Sequence, residues 1–342
     1  MKVGIWLPIF GGWLRNRQHE MMPATFEYAK SVAQKADQLG FSTILAAELN
    51  LNDIKGEDHP VLEAWTTLSA LAAVTKNIRL MAALRPGYRL PAIVAKMAAN
   101  IDHISDGRFE INLVSAWWRR EMEMYTGEWL DHANRYQRSS EFIQVLQGMW
   151  KEQNRTFNFH GDFYNINEGI LAPKPKQQPS IPIFAGGESN EGRDMIARFC
   201  SSYLMHGDEP EVIAENIRDM NERRQRYDAP PLQYGMAAYV ICRDSQKEAD
   251  EELRSITDVN QNAASLHSYD DFIKQSKLRT EISIEDYSVS NRGLRPQLVG
   301  TPEKILSRIK QYQDIGLNML LIQASPMLEE LDIIGKKILP QL

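Results

Sequence analysis

Short apolar runs closed by turn residues alternate along this chain with longer segments whose apolar positions recur at helical spacing. The runs Val3–Pro8, Thr43–Ala47, Ile78–Leu84, Phe109–Val114, Ile181–Ala185, Ser202–Met205, Gly235–Cys242 and Asn318–Gln323 read as strands. Between them, Thr25–Leu39, Val61–Val74, Pro91–Ile104, Asn134–Trp150, Glu191–Phe199, Glu211–Tyr227 and Pro302–Ile315 read as helices. Gly40 follows the first helix as a C-cap, and the last two helices open at a proline. The strand runs are apolar almost throughout, which suits a parallel sheet buried on both faces. Repeated strand-plus-helix units of this number predict an α/β fold, a (β/α)8 TIM barrel. An open doubly wound sheet is the alternative, but no Gly-x-Gly-x-x-Gly follows the first strand.

Two stretches interrupt the alternation. Residues 151–180 carry Phe157-Asn-Phe-His-Gly-Asp-Phe-Tyr164, which predicts a hairpin turning at His160-Gly161. Residues 245–297 are long and polar, as lids over barrel sites often are. The expected organisation is one barrel domain over residues 1–342 with these two insertions. The length of 342 residues and 43% hydrophobic content suffice for a large core. No apolar run reaches the ~20 residues that span a bilayer, and no secretory leader is evident, so a cytoplasmic home is expected. A net charge of −6 without a basic stripe argues against nucleic acid. Cys200 and Cys242 fall in predicted core elements, so no disulfide framework is expected.

In such a barrel the active site lies at the C-terminal ends of the strands. That rule selects Trp13 after the first strand, Arg85 after the third and Asn112, Ser115 and Trp117 at the fourth. It also selects His206 after the sixth and Tyr239 at the seventh. The fifth strand delivers Gly186-Gly-Glu-Ser189 before a helix. Unpaired N–H groups of a helix N-terminus and glycines that admit close approach suit a phosphate monoester. The mouth is rich in aromatic rings, amides and arginines and lacks both a nucleophile–base pair and a metal-spaced cluster. Such a lining suits a flat heterocyclic cofactor that carries the chemistry itself. Arg85, Arg89, Arg119 and Arg292 give the mouth an expected excess of cation, fit for an oxyanion. Arg292, in the second insertion, is the first choice for that clamp.

The pieces Ala83-Leu-Arg-Pro86, Asp102-His-Ile-Ser-Asp-Gly-Arg108, Asn112-Leu-Val-Ser-Ala-Trp117, Asp131-His-Ala-Asn-Arg-Tyr136, Gly161-Asp-Phe-Tyr164, Phe184-Ala-Gly-Gly-Glu-Ser189 and Leu298-Val-Gly300 span nearly the whole chain. In this order they resemble the bacterial luciferase-like flavin monooxygenases, and within them the alkanesulfonate and dimethylsulfone monooxygenases. The resemblance implies reduced FMN delivered by a separate NAD(P)H:FMN reductase, reaction with O2, and oxygenation of a small organosulfur compound. By position it implies Asn112 and Ser115 beside the flavin, with Trp117 near the site of oxygen chemistry. His132 and Tyr136 would reach the FMN phosphate and ribityl chain, with Gly186, Gly187 and Ser189 on the phosphate.

The substrate half departs from the sulfonate pattern. The histidine expected after the first strand is replaced by Pro8-Ile-Phe-Gly-Gly-Trp13, and the strand-two cysteine has no counterpart. His206, Tyr239 and Ser325 stand where that pattern has tryptophan, histidine and tyrosine. Trp13, Arg85, His206, Tyr239 and Arg292 are therefore the substrate-side candidates, with Asn112, Trp117 and Arg292 as catalytic ones. Ring opening of a pyrimidine-type heterocycle, deazaflavin- or nicotinamide-dependent hydride transfer, and non-enzymic flavin binding remain open as alternatives. Apolar faces at Leu68–Val74 and Ile93–Ala99 suggest a homodimer or homotetramer.

Overall fold

The computed structural model describes residues 1–342 apart from 152, 154, 259–268, 270–281 and 290–291. Parts of the second predicted insertion therefore lie outside the described residues. Its strands are β1 (Lys2–Trp6), β2 (Thr43–Ala46), β3 (Arg79–Leu84), β4 (Phe109–Leu113), β5 (Phe157–His160), β6 (Asn165–Gly169), β7 (Ile183–Ala185), β8 (Ser202–Met205), β9 (Gln233–Tyr239), β10 (Ile241–Cys242), β11 (Val299–Gly300) and β12 (Met319–Gln323). Eight of these close a parallel barrel in the order β1-β12-β9-β8-β7-β4-β3-β2. The register couples Val3 to Leu320 and Ile5 to both Ile322 and Ile44.

Alternation along the strands fills both sides of the barrel wall. Leu45, Met81, Phe184, Leu204, Met319 and Leu321 pack together with Trp6 as one buried cluster. Their neighbours Ile44, Leu80, Ile183, Leu320 and Ile322 belong to the other, larger core, under the helices. Each strand thus needs apolar residues at consecutive positions, which is why the runs read as continuous.

The helices are α1 (Phe26–Leu39), α2 (Ala64–Val74), α3 (Pro91–Ile104), α4 (Arg119–Thr126), α5 (His132–Trp150), α6 (Asn190–Phe199), α7 (Pro210–Arg226), α8 (Gln246–Thr257), α9 (Ile284–Ser288), α10 (Pro302–Asp314) and α11 (Met327–Lys337). Local chemistry sets their ends. Thr25 caps α1 by accepting from the Tyr28 N–H, and Gly40 ends it with φ of 86°, a left-handed conformation that favours glycine. Helices α4, α8, α9 and α11 are absent from the pattern-based helices, α8 and α9 lying in the second insertion. α4 is short and mostly polar, so it has little periodic signal to find.

The predicted seventh strand, Gly235–Cys242, is two strands. The chain leaves the barrel after Tyr239, whose N–H donates to the Gly293 carbonyl, and Ile241–Cys242 pairs with Val299–Gly300. In the first insertion β5 and β6 form the antiparallel hairpin, with His160 opposite Asn165. Glu141 of α5 holds its loop by accepting from the N–H groups of Asp162, Phe163 and Tyr164 at 2.9–3.1 Å. The described end of the second insertion folds back over the first barrel loop. The Arg15 N–H donates to the Ser288 carbonyl at 2.9 Å, and Leu14 bridges Val289. Among the described residues no helix is long and apolar enough to cross a membrane.

Candidate active site

A cavity of about 280 Å³ opens where the barrel strands end, the size of a small-ligand pocket. Strand β4 presents Asn112 to it, in register with Phe184 of β7. The Asn112 side-chain carbonyl oxygen is buried and accepts no hydrogen bond among the described residues. A buried acceptor without a donor carries a desolvation cost, so it marks a place where a ligand N–H can bind. After β4 the backbone turns through Ala116 at φ 54°, a left-handed conformation uncommon for alanine. That turn lies between Ser115 and Trp117, and all three residues line the cavity. Ser115 is fixed by a 2.9 Å hydrogen bond to Ser139 of α5, and the Trp117 ring stacks on Trp118 at 5.7 Å.

One face of α5 forms the neighbouring wall. His132, Arg135 and Tyr136, spaced i, i+3, i+4, all line the cavity. His132 lies edge-on to Tyr136, with centroids 5.0 Å apart, and its Nε2 is 3.4 Å from Glu191. Opposite stands the Gly186–Ser189 turn. A Cβ at Gly187 would come within 2.9 Å of the Tyr136 hydroxyl, and one at Gly186 within 2.9 Å of the Leu204 carbonyl, so both glycines keep space open. Ser189 caps α6 by accepting from the Gly192 N–H at 3.1 Å. Burial pushes the Tyr136 phenol above its ordinary pKa, with the Ser189 contact opposing, so it remains a neutral donor at physiological pH. A phosphate monoester fits this turn, and a flat ring with an N–H edge fits Asn112. Among the described residues no cluster could hold a metal ion.

The remaining wall is aromatic or ion-paired. Trp6 and Trp13 stack at 6.0 Å, and Phe10 meets Trp13 edge-on at 6.3 Å. Arg15 pairs with Asp53 at 2.8 Å and lies 4.2 Å over the Tyr287 ring. Arg85 pairs with Glu121, and Glu48 with Arg89. Glu188 pairs with Arg292 and also touches His206 at 3.1 Å.

Of the residues chosen from sequence, Asn112, Ser115, Trp117, His132, Tyr136, Gly186, Gly187, Ser189, Trp13, Arg85 and His206 all line this one cavity. Tyr239 and Arg292 do not. Tyr239 is 2% exposed within the hydrophobic core, and Arg292, equally buried, is engaged with Glu188. The expected cation excess is also absent. Arg85, Arg89, Arg119 and Arg292 each pair with a carboxylate: Glu121, Glu48, Glu123 and Glu188 respectively. Arg119 and Glu123 are an i, i+4 pair on one helix, whereas the partners of Arg85, Arg89 and Arg292 are distant in sequence, which spacing along the chain does not reveal. Arg15, Asp53, Arg135 and Glu188 also line the cavity and were not singled out individually from sequence. Arg135 was findable, since it stands beside Tyr136 on the same helical face.

The family description luciferase-like monooxygenase matches residues 1–319 of the chain. An FMNH2-dependent dimethylsulfone monooxygenase of Pseudomonas putida is 32% identical, covering 99% of this chain and 94% of the relative. The enzyme of the same description from Pseudomonas fluorescens (strain Pf0-1) is also 32% identical, with the same coverage. Among solved structures, a long-chain alkane monooxygenase superposes with a TM-score of 0.84 at 19% identity, covering 100% of this chain and 91% of the other. That likeness concerns the fold.

Proposed function

The chain belongs to the luciferase-like monooxygenase family, and from that premise we propose that it is the oxygenase of a two-component system. It takes reduced FMN from a separate NAD(P)H:FMN reductase and oxygenates a small organosulfur compound, a sulfone or sulfonate, with O2. Reduced FMN supplies the electrons that activate O2. The protein's own residues bind, orient and shield. The single observation that carries this reading is the juxtaposition, in one cavity, of an unsatisfied Asn112 acceptor and the Gly186–Ser189 turn. Together they fit the ring edge and the phosphate of one FMN molecule.

In this reading, the N–H groups at the start of α6 and the Ser189 hydroxyl hold the phosphate, supported by Tyr136 and His132. Asn112 orients the ring by accepting a hydrogen bond, and Ser115 lines the same wall, held by Ser139. Trp13, Phe10 and Trp117 exclude water from the reacting centre, which protects it from wasteful release of hydrogen peroxide. A cytoplasmic location and a homodimer or homotetramer accompany this proposal.

The test supplies purified protein with photochemically reduced FMN and O2, without NADH, and a panel of sulfones, sulfonates and nitrogen heterocycles. Oxygenated or cleaved organosulfur product is expected. Flavin oxidation with no product from any sulfur compound would sink the proposal. Reduction of added oxidised deazaflavin or NAD(P)+ by a substrate in the absence of O2 would instead indicate hydride transfer.

A further inference from the structure

A sulfonate enters a cavity as an anion and a sulfone enters uncharged, so the electrostatic balance of the wall discriminates between them. A desolvated anion needs a cation that is not already neutralised. On the wall formed by the loops after β1, β2 and β3, each guanidinium has its own buried carboxylate. Arg15, 1% exposed in its side chain, pairs with Asp53, and Arg85, 3% exposed, pairs with the fully buried Glu121. Glu48, also on this wall, is matched by Arg89. On the adjoining wall Glu188 is matched by Arg292. The cavity-lining guanidinium without an ion pair among the described residues is Arg135. It stands on the α5 face with His132 and Tyr136, at the end proposed above to hold the cofactor's phosphate.

We propose that this cavity selects an uncharged, sulfone-class substrate over sulfonate anions, and that Glu121 and Asp53 are specificity-determining residues that neutralise Arg85 and Arg15. The proposal rests on the monooxygenase function above and narrows its substrate. Glu121 is held in place independently of Arg85. Its Oε1 accepts from the N–H groups of Asn50 and Leu51 at 2.5 and 3.2 Å, and its Oε2 accepts from the Tyr88 hydroxyl at 2.9 Å. A sulfonate would have to draw Arg85 away from this anchored carboxylate and leave a buried charge unpaired. A sulfone, carrying only neutral acceptor oxygens, asks for no such exchange.

The anchoring also defines the experiment. In Glu121→Gln the amide oxygen still accepts from the two backbone N–H groups, and the amide nitrogen can donate to the Tyr88 oxygen. It cannot neutralise Arg85, so a guanidinium that lines the cavity becomes free for an anion. Dimethylsulfone and methanesulfonate are titrated against wild type, Glu121→Gln and Asp53→Asn. The readouts are calorimetry and intrinsic tryptophan fluorescence, with anaerobically reduced FMN present. Wild type is expected to prefer the sulfone by at least about tenfold, and each variant to shift that ratio toward the sulfonate by about tenfold or more. The new sulfonate binding should weaken with added salt.

Equal or tighter sulfonate binding by wild type overturns the proposal, as does an unchanged ratio in either folded variant. If Glu121→Gln does not fold, the wild-type ratio and Asp53→Asn decide. Oxygenation of neither compound, despite a clear sulfone preference in binding, defeats the monooxygenase function while leaving the charge selection standing.

Discussion

Arg292 and Glu188 are joined in an ion pair although 104 residues separate them in the chain. Arg292 reaches Glu188 from the second insertion through a backbone at φ 63°, and the same guanidinium nitrogen lies 2.7 Å from His206 Nδ1. Asp208 stands 3.7 Å from its other terminal nitrogen. Glu188 occupies the turn proposed to hold the phosphate, where an unpaired carboxylate would repel that anion. Arg292 therefore fastens the insertion to the barrel and cancels a charge that phosphate binding could not tolerate.

Removing one partner of a buried pair typically costs about 3–5 kcal/mol, because the other charge stays buried. Arg292→Ala is accordingly expected to lower stability by about that amount in urea denaturation, and to weaken reduced FMN binding. Arg292→Ala with Glu188→Gln should regain most of both losses, since the unpaired charge is gone. A single variant as stable as wild type, with normal FMN affinity, would show that the pair does neither.

The phosphate assignment predicts a split between two flavins. In Gly187→Val a Cβ 2.9 Å from the Tyr136 hydroxyl forces that ring aside, and the branched chain obstructs approach to the α6 N-terminus. Reduced FMN binding should weaken by at least about tenfold, roughly 1.4 kcal/mol, while reduced riboflavin, which lacks the phosphate, loses much less. Fluorescence titration under anaerobic conditions measures both. Equal losses would make the turn a fold element only.

The contrast between Gly187 and Arg292 shows what sequence carries here. The Gly-Gly-Glu-Ser turn is local: strand, glycines, N-cap and helix are consecutive, so its geometry can be read from a dozen residues. The barrel is legible for a similar reason, since each strand must be apolar on both faces and Ile44 and Leu45, adjacent in sequence, serve different clusters. Charge balance is not local. Arg85 looks like a free cation until Glu121 folds against it, and Asp53 looks like loop polarity until Arg15 arrives from another loop. Tyr239 does end its barrel strand, as the sequence pattern implies, but strand position alone does not reveal which way a side chain turns. The chain leaves the barrel after that residue, and its ring is buried in the hydrophobic core and does not line the cavity.

Away from the site, Asp37 offers a pH-dependent test. Burial alone would raise its pKa. The N–H groups of Lys76, Ile78 and Asn77, together with Arg108, outweigh that and hold it below the ordinary carboxylate value. A depressed pKa means that the ionised form stabilises the fold above the unfolded pKa of about 3.9, and that this contribution fades as pH falls through the folded value. Asp37→Asn should therefore be less stable than wild type near neutrality, on the order of 1 kcal/mol for a partly exposed group. The gap between the two proteins should narrow only as pH falls through the depressed folded value, where the Asp37 side chain becomes neutral like the amide. Thermal melts across pH 3–8 measure the difference, and a gap independent of pH would mean that charge is not its source.

Asn112 should show function and stability moving in opposite directions. Its side-chain oxygen is buried without a donor among the described residues, an arrangement that costs the ligand-free protein stability. Asn112→Ala removes that cost, so its thermal midpoint without flavin should equal or exceed that of wild type. The opposite holds once reduced FMN is bound, because the oxygen is then proposed to hold the ring in register with the cavity wall. Losing one such hydrogen bond is worth about 0.5–1.5 kcal/mol, so product formed per reduced flavin should fall roughly 2- to 10-fold. Hydrogen peroxide should rise to balance the missing product. Simultaneous assay of sulfur product and peroxide, beside a melting curve of the ligand-free protein, tests both halves. A destabilised variant with unchanged coupling would mean that Asn112 serves the fold and not the flavin.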